Sequence, residues 1–149
     1  MTKEEKELLF RDLSGRLPYE VKVHYHYSRG EKVIDEDRVL ETDDIESLKY
    51  DIDNPQDYWC EISWKPYLRP KSTLTKDEKE EIEVFVFENW GNGKIDGDGD
   101  YEISDLCDMS YVYTDYCFAY VDWLNAHHID YRGLIEKGLA LKAPEDMYK

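Results

Sequence analysis

Residues 19–27 decide the fold, and their sequence is Y-E-V-K-V-H-Y-H-Y. Apolar and aromatic residues alternate strictly with polar ones, which is typical of a strand with one buried face and one face in water. The buried set is Tyr19, Val21, Val23, Tyr25 and Tyr27, and the polar set is Glu20, Lys22, His24 and His26. Ser28 to Glu31 predict a hairpin turn, with a second strand around 32–34 or 38–41.

A short amphipathic helix is predicted ahead of this strand. Thr2 and Glu5 have the spacing of a capping box, in which each side chain accepts a hydrogen bond from the other residue's backbone N–H. Leu9, Leu13 and Leu17 then recur every four residues and share one helix face. Pro18 follows directly, so we expect the helix to end near 15–17.

The region after the hairpin is predicted to be less regular. Residues 42–57 are rich in Asp and favour loop, with a short structured piece near Ile45–Tyr50. Asp57 to Trp64 predicts another strand. Lys65 to Pro70 has the sequence K-P-Y-L-R-P, and its two prolines lack a backbone donor, so we expect an extended connector there.

The second half of the chain is predicted to be mainly helical. Thr75 and Glu78 form a second potential capping box, which favours a helix over 76–89. Ile82, Val84 and Val86 also alternate as in a strand, so the choice between helix and strand stays open for 82–88.

A Gly/Asp-rich loop and a long helix follow. The loop spans 91–108, and the helix spans 111–128. Its apolar stripe is Cys117, Tyr120, Val121, Leu124 and His128. The tail from 130 predicts a short turn or helix around 132–137 and then fraying.

These elements predict a single α+β domain over 1–149. It consists of an N-terminal helix, a small antiparallel β-sheet and then two helices packed on that sheet. Within it, 1–65 would hold the first helix and a β-meander, 66–74 a Pro-containing connector, and 75–149 a mainly helical part with the acidic loop 91–108.

The net charge of −16 restricts the class of partner. Residues 1–71 have a net charge of −5, residues 72–113 of −9 and residues 114–149 of −2. Such a chain repels phosphate backbones, and no basic patch offsets this, so direct nucleic-acid binding is not expected. The charge serves either solubility or attraction to a basic protein.

Cysteine usage and hydropathy predict a cytoplasmic protein. There are three cysteines without a CxxC pair, which does not predict a disulfide framework. The N-terminus has no apolar signal region, and no apolar run approaches the ~20 residues that span a bilayer.

Alternate carboxylates in the acidic loop suggest a divalent-metal site. Asp96, Asp98 and Asp100, with Glu102, supply the oxygen ligands that Ca²⁺ or Mg²⁺ takes. Aligned with an EF-hand loop, however, position 6 is Tyr101 rather than Gly and position 12 is Cys107 rather than Glu. We therefore expect at most weak binding of Ca²⁺ or Mg²⁺, with a solvated loop as the alternative.

The histidines indicate a metal site only weakly, and the sequence contains no common catalytic motif. His24 and His26 lie on one strand face at a spacing that can chelate Zn²⁺ or Ni²⁺, although a role as polar surface residues is favoured. His127 and His128 close the long helix, where the helix dipole favours them. The sequence has no GxSxG, P-loop, dinucleotide fingerprint or HExxH, so we do not expect an enzyme or a cofactor.

Aromatic residues on more than one side of the long helix suggest a protein-binding surface. An exposed Tyr/Trp face with acidic neighbours has the composition of an interface hot spot. The alternative is a large aromatic core around the helix. The candidate surface residues are Tyr113, Tyr116, Trp123, Asp115 and Asp122.

Three blocks of sequence resemble a known group of proteins. They are K-P-Y-L-R-P at 65–70, D-W-L-N at 122–125 and D-Y-R-G-L-I at 130–135. In these blocks the chain is similar to a family of small uncharacterised proteins of gut Bacteroidales and their mobile or phage-derived elements. That family has no established activity. The resemblance implies a bacterial or phage cytoplasmic accessory protein.

The leading functional hypothesis is a non-catalytic, acidic protein-binding module. Its partner would be a protein with a basic surface, such as one that handles nucleic acid, and it would meet neither membrane nor nucleic acid directly. A divalent-metal-binding domain and a small hydrolase or transferase without a local motif are the alternatives.

Overall fold

The computed structural model describes residues 1–54, 61–82 and 114–148, with backbone alone for 114–117. It is an α+β fold, as predicted. The helices are α1 (Lys3–Arg16), α2 (Thr42–Asp53), α3 (described over 76–82) and α4 (described over Thr114–Ala126). The strands are β1 (Lys22–Arg29), β2 (Lys32–Val39), β3 (Glu61–Leu68) and β4 (Leu141–Lys142), and short 3₁₀ turns occupy Leu17–Tyr19 and Lys71–Thr73.

The four strands form one sheet in the order β2-β1-β3-β4. β1 pairs antiparallel with β2 from Lys22↔Val39 to Arg29↔Lys32, so the predicted hairpin is confirmed and β2 is one continuous strand. Gly30 turns the chain in the left-handed region, with φ 60°, which glycine adopts without steric cost. β4 pairs parallel with β3, so the sheet is mixed, whereas we predicted an antiparallel one.

The proline-containing block is not a connector. β3 continues through Pro66 to Leu68, and Pro66 lies opposite Val23 of β1. Proline has no backbone N–H to donate, so it fits a strand at a position where its nitrogen does not face a paired strand. Pairing with β4 starts one residue later, at Tyr67↔Leu141, so the outer side of β3 has no β4 partner at Pro66.

The Asp-rich segment 42–53 forms helix α2, where we predicted mostly loop. Glu41 and Asp44 make a capping box, and Asp43 and Asp44 lie in the first turn, where the helix dipole favours carboxylates. Leu48 and Ile52 are buried one turn apart against the core. The Asp residues therefore start the helix rather than interrupt it.

The C-terminal segment is also ordered where fraying was predicted. Leu139, Ala140 and Ala143 are buried, and the Ala143 N–H donates to the Leu68 carbonyl at 2.8 Å. The Tyr148 hydroxyl donates to the Tyr67 carbonyl at 2.8 Å and accepts from the Lys22 N–H at 3.1 Å. The tail thereby reaches both β3 and β1.

Local helix signals are confirmed where they are described. Thr2 and Glu5 cap α1 in both directions, at 2.7 and 3.2 Å. Thr75 and Glu78 do the same for α3, which begins at 76 as predicted. Residues 83–88, for which helix or strand stayed open, lie outside the described residues, as does the loop 91–108.

Two apolar clusters form the core of the described regions. The larger packs Leu9 and Leu13 of α1 and Leu48 of α2 against Val23 and Trp64 of the sheet. The smaller lies around Tyr120 and Leu124 of α4, with Leu74, Ile82 and Ile129. Main-chain bonds join β3 to the residues after α4, because Arg69 N–H donates to the His128 carbonyl and Asp130 N–H to the Arg69 carbonyl, each at 2.8 Å.

A fully buried ion pair on α1 contacts the C-terminal part of the chain. Asp12 accepts from Arg16 at 2.7 and 3.1 Å, and both side chains are 0% exposed. Arg16 also donates to the Ile129 carbonyl at 2.8 Å, and Arg132 approaches Asp12 at 3.3 Å. Burying charge is costly unless it is paired, so Arg16 depends on Asp12.

We predict that Asp12→Asn lowers the free energy of unfolding by about 3–5 kcal/mol, because it leaves the buried Arg16 charge without an oppositely charged partner. The matched control is Asp53→Asn, which breaks the exposed Lys49–Asp53 pair at the same i,i+4 spacing and should cost about 0.5 kcal/mol or less. Urea denaturation measures both variants. A cost below about 1 kcal/mol for Asp12→Asn would show that the pair does not hold the halves together.

Candidate functional site

The metal site predicted in the acidic loop lies outside the described residues. Asp96, Asp98, Asp100 and Glu102 all fall within 83–113, so the Ca²⁺ or Mg²⁺ site stays a prediction. Among the described residues, no group of three or more His, Cys, Asp or Glu is arranged to hold a metal ion.

The predicted aromatic surface is described only in part. Tyr113 lies outside the described residues, as do the side chains of Tyr116 and Asp115. Trp123 is half-buried against the smaller apolar cluster, and its ring stacks on His127 at a centroid distance of 3.7 Å. Asp122 is exposed, and so is Phe118 one turn before it, at 63%.

A buried neutral histidine follows the end of α4. His128 has φ 55°, is 7% exposed and stacks on Tyr148. Burial, together with the positive charge of Arg16, lowers the pKa of His128 to about 4. His128 is therefore uncharged at neutral pH, and the favourable dipole interaction expected of a cation does not apply to it.

The sheet presents its polar side chains on the face opposite the larger apolar cluster. We call this face the open sheet face. Val23 and Tyr25 of β1 and Trp64 of β3 point into the core, so their alternating neighbours point away from it. The open sheet face comprises Lys22, His24, His26, Ser28, Val33, Asp35, Asp37, Val39, Glu61, Ser63, Lys65 and Tyr67.

His24 lies between two carboxylates on this face. Its Nε2 is 2.8 Å from Asp35 Oδ1 and its Nδ1 is 2.8 Å from Asp37 Oδ1. A ring nitrogen donates to a carboxylate oxygen only when it carries a proton. Asp35 Oδ1 also lies 3.6 Å from His26 Nδ1. His24 and His26 thus lie on the polar face of the strand, as the favoured interpretation has it, and their ring nitrogens approach carboxylates of β2.

Asp37 is the centre of a second set of hydrogen bonds. Its Oδ1 accepts from the Tyr67 hydroxyl at 2.9 Å as well as from His24. These bonds lower the pKa of Asp37, with His24 the larger cause. Partial burial, and then the bond to Asp37, raises the pKa of Tyr67. Asp37 is therefore held ionised on the surface.

The described carboxylates are concentrated on β2 and α2. Residues 31–53 contain ten Asp/Glu and three Lys/Arg, a net charge of −7. The net charge of −5 over 1–71 does not show this concentration, because residues 1–30 and 54–71 each have a net charge of +1. The net charge of shorter segments would have located it from the sequence alone.

The exposed residues of β2 combine charge with apolar surface. Six residues of β2 are exposed: Lys32 at its start, and then five that we call the β2 edge surface, namely Val33, Asp35, Glu36, Asp37 and Val39. Val33 is 58% exposed and Val39 is 43% exposed. β2 carries two cations: Lys32 lies at the hairpin end, 5.8 Å from the Tyr27 ring centre, and Arg38 turns to the core side, where it contacts Asp44 and lies 4.5 Å from the Tyr25 ring centre. The charge of Arg38 is neutralised there.

A cleft of about 810 Å³ lies between the start of α3 and the C-terminal segment. Arg69, which lines the cleft, makes a bidentate salt bridge with Glu78, with hydrogen bonds of 2.7 and 2.9 Å. Hydrogen bonds from Arg69 are the main cause that lowers the pKa of Glu78 to about 2. Burial raises the pKa of Tyr148, on the same cleft, to about 12. These side chains hydrogen-bond to other groups of the protein and join the start of α3 and the C-terminal segment to β3 and β1.

No protein-family model, curated protein or solved structure matches this chain.

In the regions that the structure describes, no helix has both the length and the apolar character to cross a membrane.

We predict that Glu78→Gln lowers the free energy of unfolding at pH 7 by about 1–3 kcal/mol, since it removes a charged partner of Arg69. The pKa of Glu78 lies below that of the unfolded chain, so its contribution is fully present above about pH 4.5 and is lost as the pH falls toward 2. Urea denaturation between pH 3 and 7 should show the difference from wild type shrinking toward pH 3.

The control for this prediction is Glu145→Gln, which changes an exposed carboxyl on the same cleft. It should leave the free energy of unfolding within about 0.5 kcal/mol of wild type at every pH. A Glu78→Gln difference that did not change with pH would contradict the assignment to the ionised pair.

Proposed function

We propose that this chain is a non-catalytic protein-binding module that binds a protein with a basic surface through the β2 edge surface. The observation that carries the proposal is the pattern along β2, where Asp35 and Asp37 lie between the exposed Val33 and Val39 on one face. Carboxylates at this density attract a basic partner and speed its encounter.

The exposed valines of the β2 edge surface provide apolar contact area, which charged residues alone do not. Interfaces combine an apolar centre with a polar surround, and surface ion pairs by themselves contribute little. Val33 and Val39 expose apolar area that a partner can cover. Burial of that area stabilises a complex at roughly 25 cal/mol per Å² before the costs of association.

Acidity also favours one class of basic partner. Proteins that handle nucleic acid carry clusters of Lys and Arg that neutralise phosphate. A surface with alternating carboxylates can occupy such a cluster. This is consistent with an accessory or inhibitory factor, as the sequence resemblance to mobile and phage-derived elements implies.

We predict that Asp35→Asn/Asp37→Asn weakens binding of the partner about tenfold or more, the equivalent of about 1.4 kcal/mol. The matched control, Glu136→Gln/Glu145→Gln, removes two exposed charges from the C-terminal segment and should change the affinity less than twofold. The partner is first captured by affinity purification at about 50 mM salt, purified, and then titrated calorimetrically against wild type and both variants.

The salt dependence provides a second readout. Wild-type affinity should fall as salt rises, because the attraction is screened, and the fall should be smaller for the Asp35/Asp37 variant. Equal weakening by both double variants would show that net charge alone acts. The absence of any specific partner at low salt would contradict the proposed function itself.

A further inference from the structure

β2 is the outer strand of the sheet, with β1 on one side. It is eight residues long, and its register with β1 continues from Lys32 to Val39 without interruption. In an antiparallel pair, successive residues direct their backbone N–H and C=O groups alternately toward and away from the neighbour. Half of the backbone groups of β2 therefore face outward, and no strand among the described residues pairs with that side.

The outer edge lacks the structural features that usually block an added strand. Native edges are protected by proline, by bulges, by very short strands or by charge. β2 contains no proline, its pairing shows no bulge, and it is of full length. Its protection comes from charge, through Asp35, Glu36 and Asp37.

The negative charge of these residues disfavours pairing of β2 with β2 of a second copy of this chain. Antiparallel pairing of two β2 strands centred on Glu36 would place Glu36 opposite Glu36 and Asp35 opposite Asp37. Like charges directly opposite each other destabilise a strand pair. The same arrangement favours a strand of opposite charge, because basic side chains at alternate positions would face the carboxylates.

The two carboxylates on the open sheet face retain acceptor capacity for such a strand. Asp35 and Asp37 both contact His24 through Oδ1. No described contact uses Oδ2 of either residue. A Lys or Arg on an added strand would lie about 4.5–5.5 Å away between Cβ atoms, within reach of these oxygens.

We propose that β2 accepts an extended basic segment of the partner protein as an added strand, which extends the sheet beyond β2. Backbone hydrogen bonds to the outer edge hold the segment, and Lys or Arg residues at every second position face Asp35 and Asp37. β-branched residues occupy the positions of the segment between these Lys or Arg residues. This inference rests on the proposed function and specifies how its partner binds.

The experiment uses three capped octapeptides as probes with the full chain. The first alternates Lys and Val. The second has the same charge but has proline in place of two valines, which removes donors from the strand. The third alternates Glu and Val. Calorimetry gives the affinities, and amide hydrogen exchange by NMR reports protection along β2.

Strand addition predicts that the Lys/Val peptide binds at least tenfold more tightly than the proline peptide and that the Glu/Val peptide does not bind. Exchange should slow at alternate β2 amides, and by at least tenfold at saturation. Asp35→Asn/Asp37→Asn should weaken the Lys/Val peptide, whereas Glu136→Gln/Glu145→Gln should not.

The remaining outcomes separate this inference from the proposed function. Equal binding of both basic peptides, or binding without protection of β2 amides, would overturn strand addition while leaving an acidic docking surface. If the captured partner depends on Asp35 and Asp37 but neither peptide protects β2, strand addition is wrong and the proposed function stands. Self-association through β2, seen by analytical ultracentrifugation and lost in Glu36→Lys, would identify a second copy as the occupant and overturn the inference.

Discussion

The two-residue alternation of β1 is the constraint on which the rest of the structure depends. Val23 and Tyr25 enter the core beside Trp64, so His24 and His26 have to face outward. A slip of one residue would exchange the two sets and bury the imidazoles. The tight hairpin at Gly30 then fixes β2 against β1 and brings carboxylates, rather than other residues of β2, opposite the histidines.

The second half of the chain is attached through polar contacts as well as apolar ones. Arg16 of α1 reaches the Ile129 carbonyl, and Arg69 pairs with the main chain on both sides of Ile129. Asp130 then accepts from the Leu134 and Ile135 N–H groups at 2.8 and 2.9 Å. These contacts need specific partners at specific distances, which apolar packing does not. They fix how α1, β3 and the C-terminal segment are oriented.

Local signals in the sequence were sufficient for some elements and not for others. The capping boxes at Thr2 and Thr75 and the β1 hairpin depend on residues within a few positions of each other, and they were predicted. Helix α2 was missed because its Asp content outweighed the spacing of Leu48 and Ile52. The continuation of β3 through Pro66 depends on β1 and on a strand over seventy residues away, which no local pattern shows. The pairing of histidines with carboxylates depends on register and was out of reach for the same reason.

Charge on an edge strand acts at two ranges, and they have different consequences. At physiological salt the field of the whole chain is screened over about 8 Å, so net charge influences which partners approach rather than how they bind. An added strand would lie about 4.8 Å from β2, well inside that distance. There Asp35 and Asp37 act as individual groups in fixed positions, and the backbone of β2 imposes a register that diffuse charge cannot. Carboxylates that exclude a second copy of the chain thus also select the spacing of cations on a partner, because both effects arise from the same alternation.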